Sequence, residues 1–203
     1  MVVLVVALLV VALLVVVVLL AAAAAGWFGG QHRTITGEPA PGSDEPPAVA
    51  DVLGRLPALP GTAVVDGAVP TANAVPLGIC SSADSEALIG AGSEQVVITS
   101  SVNGQENIAV VAIPTVDPAG TLARVRNYQR ALGLTPERVY GVPPTVLVVG
   151  ATLPDQLVMR GLYDSGRWTV VISVSAPTGA PSAPVGNDFA ALSTRMAAVL
   201  QPD

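Results

Sequence analysis

The residues that could carry chemistry are few in this sequence, and they are scattered. His32 is the only histidine, Cys80 is the only cysteine, and the chain contains no lysine. A Ser-His-Asp triad, a Cys-His pair and a histidine-based zinc site all need a histidine in the folded domain, whereas His32 precedes a proline-rich segment. A Ser-Lys dyad and a phosphate-binding P-loop both need a lysine. These common catalytic and zinc sites are therefore excluded.

Carboxylates are the remaining candidates for acid–base chemistry. Glu94, Glu106, Asp155 and Asp164 lie near predicted turns, and two carboxylates at the right separation form the site of a glycosidase. Acidic residues at turns are more often solvated, and the spacing of an EF-hand calcium loop does not occur. We therefore predict no catalytic, cofactor-binding or metal-binding residues and no cofactor. A carboxylate-based hydrolase stays an alternative to a protein that is not an enzyme.

Basic residues and the cysteine give little functional signal. Arg124, Arg126 and Arg130 share one predicted helix, where they form a solvated face or, alternatively, bind an anionic group or a partner. The net charge of −6 and the lack of a basic stripe argue against nucleic-acid binding. A single cysteine allows no intramolecular disulfide, and we predict that Cys80 is a small buried core residue.

The N-terminal segment predicts a membrane anchor. Residues 2–25 comprise ten Val, seven Leu and seven Ala. A helix of this length extends roughly 36 Å, enough to span a hydrocarbon core of about 30 Å. Trp27 and Phe28 come next, at the position of an interfacial aromatic belt. The predicted partner of residues 2–25 is therefore the lipid bilayer, although alanines 21–25 also fit a cleaved signal peptide.

The chain after the anchor divides into a linker and a domain. We predict an anchor over residues 1–28, a Pro/Gly-rich linker over 29–60 and an α+β domain over 61–203. Residues 48–56 are expected to form one or two helical turns at the end of the linker. Arg33 is the one basic residue beside the span and favours a cytoplasmic domain. A signal-anchor with a proline-rich stalk more often exports the domain attached to it, so we predict an extracytoplasmic domain of a cell-membrane protein.

Periodicity within the domain predicts an antiparallel sheet with packed helices. Asn103 and Gly104 are the strongest turn signal and predict a type I′ hairpin. Asp117 as cap and Gly133 as terminator delimit a helix. One face of the last strand is expected to be buried and the other at least partly wet. The predicted strands are 62–65, 95–102, 105–113, 145–152, 157–163 and 167–175, and the predicted helices are 82–89, 117–133 and 187–200.

The whole layout resembles that of single-pass anchored cell-envelope proteins of GC-rich Gram-positive bacteria. It is carried by the Ala/Val-rich span, the proline-rich stalk and the hairpin Tyr163-Asp-Ser-Gly-Arg-Trp. The tethered, acidic domain without catalytic apparatus predicts a non-enzymatic exterior domain that binds a partner protein or an envelope ligand near the membrane. Alternatively, the protein is an accessory or assembly subunit that acts through its transmembrane helix, where Ala22 and Gly26 form a small-xxx-small pair.

Overall fold

A computed structural model describes residues 47–203, all of which belong to one compact unit. Within this range no helix is both long and apolar enough to cross a membrane. The predicted anchor and the linker as far as residue 46 lie outside the described residues. In chain order the elements are α1 (Ala50–Leu53), β1 (Thr62–Pro70), a 3-10 helix (Thr71–Ala74), α2 (Ser82–Gly90), β2 (Gln95–Asn103), β3 (Glu106–Pro114), α3 (Pro118–Ala131), β4 (Thr135–Pro136), β5 (Leu147–Thr152), β6 (Gln156–Ser165), β7 (Trp168–Pro177) and α4 (Ser182–Val199).

The seven strands form one sheet in the order β1-β2-β3-β7-β6-β5-β4. Every pair of neighbours is antiparallel. Short turns join β2 to β3, β5 to β6 and β6 to β7, which is why these neighbours run in opposite directions. The predicted α+β class with an antiparallel sheet is confirmed.

Helices cover both faces of the sheet. On one face, α4 places Phe189, Leu192 and Met196 in a core with alternate residues of the strands. On the other face, α2 and α3 contribute Leu88 and Val125 to a second core. The two cores contain alternate residues of β7 because side chains in a strand point to opposite faces in turn.

The face of β7 toward α3 is only partly covered, as predicted. Thr169 and Val171 are buried, whereas Ser173 and Ser175 farther along the same face are half-buried. The opposite face of β7 is buried from Trp168 to Ala176. Both faces of β7 are therefore buried only in the half of the strand that follows the β6–β7 turn.

The β2–β3 hairpin is confirmed, but its predicted turn is wrong by one residue. Asn103 pairs with Glu106, so Gly104 and Gln105 form the two-residue loop. Gly104 has φ +62°, and no non-glycine residue in the described range has a positive φ. A positive φ at the first loop position alone defines type II′ instead of type I′. The β6–β7 loop is shorter than the predicted loop of residues 164–166, since Ser165 pairs with Trp168 around Gly166 and Arg167.

Helix α3 begins and ends close to its predicted bounds. The side chain of Asp117 caps it by accepting a hydrogen bond from the N–H of Gly120 at 3.0 Å. The sequence predicts one apolar stripe on this helix, formed by Leu122, Val125, Tyr128 and Leu132, and this prediction is partly wrong. Val125 is buried, but Leu132 is 39% exposed, and the fully buried residue near this end of the helix is Gln129. Its amide bonds described below explain why a polar residue lies there.

Of the other two long helices, α2 begins at Ser82 as predicted, whereas α4 begins earlier than predicted. Ser81, not Ser82, caps α2, and its reciprocal bonds with Asp84 form a capping box. Helix α4 begins at Ser182, well before the predicted first residue Asn187, and has no side-chain cap. Pro184 lies in its first turn, where a missing N–H costs no helical hydrogen bond. Asp188 is therefore free to interact through its carboxylate elsewhere.

The predicted helical turns before the domain are present as α1. Val52 in α1 is fully buried in the core beneath α4. Arg55 just after it donates a hydrogen bond to the carbonyl of Val199 at 2.8 Å. This segment thus joins the start of the described chain to the end of α4.

Candidate functional site

A cleft lies beside the first half of α3, at the end of the sheet next to the β6–β7 turn. Its volume is about 600 Å³. Leu122, Leu147 and Leu162 give it an apolar wall, and Arg126 and Asp164 are among its polar groups. We call it the α3 cleft. Its lining residues are Pro118, Ala119, Leu122, Arg126, Thr145, Leu147, Leu162, Tyr163, Asp164, Pro202 and Asp203.

Asp164 is held in the α3 cleft by its neighbours on β7 and at the C-terminal end. The hydroxyl of Thr169 donates a hydrogen bond to its Oδ1 at 2.9 Å. The N–H of Asp203 donates to the Asp164 carbonyl at 3.1 Å. Burial raises the pKa of the Asp164 carboxyl, the Thr169 hydrogen bond opposes that rise, and the charges of Asp203 and Asp117 add to it. This carboxyl is thus more easily protonated than an ordinary aspartate.

Arg126 brings the positive charge of the α3 cleft. Its side chain is half-buried, and its Nε is buried without a hydrogen-bond partner in the described part of the chain. The neighbouring arginines of α3 do not join it. Arg124 is mostly exposed and lies 4.0 Å from Asp84, and Arg130 is exposed. The three arginines of this helix therefore form no common anion site.

A second, smaller pocket lies at the opposite end of the sheet, between the β2–β3 hairpin and the start of α4. Its volume is about 360 Å³. Glu106 on β3 and Asp188 on α4 line it together; burial raises the pKa of the Glu106 carboxyl, and the neighbouring Asp188 adds to that rise. We call it the carboxyl pocket. It is lined by Asn103, Gly104, Gln105, Glu106, Ala176, Ala180, Pro181, Pro184, Val185 and Asp188.

Arg160 of β6 is a buried cation that the sequence reasoning missed. Its guanidinium donates to the carbonyls of Leu77 and Gly78 and to the side-chain oxygen of Gln129. Gln129 in turn donates to the carbonyls of Gly78 and Ile79, each at 3.0 Å. Burial lowers the Arg160 pKa to about 10. The two side chains hold the loop before α2 against the sheet, which is a structural role.

The strand periodicity contained a signal for Arg160. Residues 158, 160 and 162 share one face of β6, and Val158 and Leu162 are apolar core residues. An arginine between them at period two is expected to point inward. Asp188 carried no such signal, because its contact with Glu106 joins two elements that are far apart in the chain.

Cys80 is buried, as predicted. The residue is fully inaccessible and its thiol is free. Burial and the nearby charge of Asp84 raise the Cys80 pKa to about 11. A protonated, inaccessible thiol is a poor nucleophile and metal ligand, so Cys80 is a packing residue.

The four carboxylates considered for a hydrolase are not brought together. Glu94 and Asp155 are exposed. Glu106 and Asp164 lie in different pockets, at opposite ends and on opposite faces of the sheet. Among the described residues, no group of three or more His, Cys, Asp or Glu side chains is placed to hold a metal ion.

No protein-family model, curated protein or solved structure matches this chain. Its function therefore has to be inferred from the two pockets and from the sequence pattern.

Proposed function

We propose that this protein is a single-pass membrane protein whose extracytoplasmic domain binds a ligand without catalysing a reaction. The ligand site is the α3 cleft, and the ligand is a small envelope molecule with an apolar body and an anionic group. The anchor and the exterior location remain those predicted from residues 2–25 and the proline-rich stalk. The observation that carries the proposal is a leucine-walled cleft with an incompletely bonded arginine.

The size and lining of the α3 cleft support ligand binding. Small-molecule pockets typically have volumes of about 300–1,000 Å³ and combine apolar walls with a few convergent polar groups. The α3 cleft, of about 600 Å³, has leucines from α3, β5 and β6 and a few polar side chains. A hydrocarbon or ring against Leu122 of α3 and Leu147 of β5 would bury the apolar surface that these half-buried side chains leave exposed.

Arg126 supports an anionic group on the ligand. Its Nε is buried and has no hydrogen-bond partner among the described residues, which costs free energy that a bonded anion would recover. A planar guanidinium matches the geometry of a carboxylate or phosphate.

Hexanoate is a suitable probe of this site, with neutral hexanamide as its matched comparison. The full-length chain in detergent micelles is titrated with each compound by isothermal titration calorimetry. We expect saturable binding of hexanoate that is stronger than binding of hexanamide. Arg126→Gln should weaken hexanoate binding about 10- to 100-fold, the value of one charge-assisted hydrogen bond of about 1.5–3 kcal/mol.

Arg130→Gln is the matched control, because Arg130 is on the same helix but is exposed. It should leave hexanoate binding unchanged. Absence of saturable binding, or equal effects of the two substitutions, would contradict the assignment of an anion site to the α3 cleft.

A further inference from the structure

The carboxyl pocket places two acidic side chains together without a positive charge beside them. Glu106 of β3 and Asp188 of α4 both line it. None of the described residues that line this pocket is basic. Two carboxylates in contact repel each other unless a proton or a cation lies between them, so this arrangement needs a positive partner.

Glu106 itself shows where that partner would bind. The residue is only 9% exposed, and its Oε2 is buried without a hydrogen-bond partner among the described residues. A buried carboxylate oxygen without a donor is costly. The carboxylate lines a pocket of about 360 Å³, which has ample room for an ion and several water molecules.

The chemistry of the available donors selects the ion. The pocket is lined by the carboxylates of Glu106 and Asp188 and by the side-chain amides of Asn103 and Gln105, whose oxygens can serve as ligands. All of these ligands are oxygen atoms, which suit Ca²⁺ and Mg²⁺ better than zinc or copper. An irregular set from a hairpin and a helix suits Ca²⁺, which accepts six to eight oxygens in flexible geometry, whereas Mg²⁺ demands near-ideal octahedral geometry.

We propose that the carboxyl pocket is a calcium-binding site in which Glu106 and Asp188 are the charged ligands. Two carboxylates without a third predict weak binding, with a dissociation constant on the order of 10⁻⁴ to 10⁻³ M, as in extracellular calcium modules. The ion would connect the β2–β3 hairpin to the start of α4. The site is separate from the α3 cleft and does not depend on the ligand proposed for it.

Calcium titration of the full-length chain in detergent micelles tests this proposal. The protein is first treated with EDTA and dialysed, and then titrated with calcium chloride by isothermal titration calorimetry. Thermal unfolding is measured in parallel. We expect one Ca²⁺ per chain in the stated range and a rise of the melting temperature with calcium concentration.

Glu106→Gln separates loss of the site from loss of the fold. A glutamine amide donates a hydrogen bond to Asp188 and removes the like charge, so the calcium-free variant should melt no lower than the calcium-free wild type. Its calcium affinity should fall by about tenfold or more, because affinity depends on the number of charged ligands. Glu86→Gln is the control, since Glu86 is exposed on α2 beyond the other face of the sheet. It should leave calcium binding unchanged.

Three results would overturn the assignment. The first is the absence of a saturable calcium response of the wild type up to about 10 mM, in which case a shared proton holds the pair together. The second is an unchanged calcium affinity of Glu106→Gln. The third is a response to magnesium as strong as the response to calcium. Each result leaves the hexanoate experiment on the α3 cleft unaffected.

Discussion

Asp164 loses its proton less readily in the folded protein than in the unfolded chain. Burial raises its pKa above the ordinary value of 3.8, and the net effect persists although Thr169 donates a hydrogen bond to it. The folded state therefore binds a proton at Asp164 more tightly than the unfolded state does. The contribution of this residue to stability is largest below pH 3.8 and falls as the pH rises through the raised pKa.

Asp164→Asn should therefore change the pH dependence of stability. The asparagine carries no charge at any pH, and its side-chain oxygen can still accept the bond from Thr169. We expect the variant to be more stable than the wild type at pH 7 and to lose that advantage below pH 3.8. Urea unfolding at a series of pH values measures the difference. A constant difference across this range would show that the Asp164 pKa is the same in both states.

The sequence points to Asp164 and Arg126 individually but not to their cleft. Asp164 stands out because it is acidic and near a turn, and Arg126 because it belongs to an arginine-rich helix. Their common location depends on the packing of α3 against β6, which no local pattern encodes. The common location of Glu106 and Asp188 in the carboxyl pocket is beyond prediction for the same reason.

At the scale of helices and strands, the packing of α4 on the sheet depends on one glycine. Gly161 lies in the middle of β6, directly below Phe189 of α4. A Cβ atom at this position would lie 2.9 Å from Cγ1 of Val146 and 3.2 Å from Cζ of Phe189. These distances are shorter than ordinary van der Waals contact, and both neighbours belong to a close-packed core. The strand therefore accepts a glycine, in spite of its low strand propensity, so that α4 can lie close.

Gly161→Ala should destabilise the domain by about 1–3 kcal/mol, because overpacking forces side chains or backbone to move. Gly186→Ala is a matched comparison in α4, where an added Cβ meets no atom within 4 Å. Alanine is the better helix former, so this change should stabilise the domain by about 0.4–1 kcal/mol. Chemical denaturation gives both values. Equal effects of the two changes would mean that Phe189 does not pack on Gly161.

Elements with strong local signals are predictable from the sequence, and those set by distant contacts are not. Asp117 as cap and Gly133 as terminator predict the limits of α3 correctly. The alternation of apolar and polar residues identifies the strands of the β2–β3 and β6–β7 hairpins. The early start of α4 escapes prediction because Pro184 suggests a loop, although a proline also fits a first helical turn. The two-residue strand β4 cannot be predicted from the sequence, because it is a strand only through its pairing with β5.

At the scale of the whole molecule, the main expectation concerns the side of the membrane on which the domain lies. Alkaline phosphatase fused to the C-terminus is active only outside the cytoplasm, and a fluorescent protein that matures only in the cytoplasm reports the opposite side. We expect phosphatase activity from the first fusion and no fluorescence from the second. The reverse pattern would mean that Arg33 sets the orientation by the positive-inside rule. The domain would then be cytoplasmic, and an assembly or signalling role would replace envelope binding.

The strand order also has a consequence for how the domain folds. β1, β2 and β3 form one run of neighbours, and β4 to β7 form another, so the sheet is completed by the pairing of β3 with β7. Those two strands are distant in sequence, and closing such a long loop slows folding. Until they pair, both present unpaired, valine-rich edges near the centre of the future sheet. A β7 strand from a second chain can satisfy the same β3 edge, so we expect exchange of this strand between two copies to be the main misfolding route of this topology.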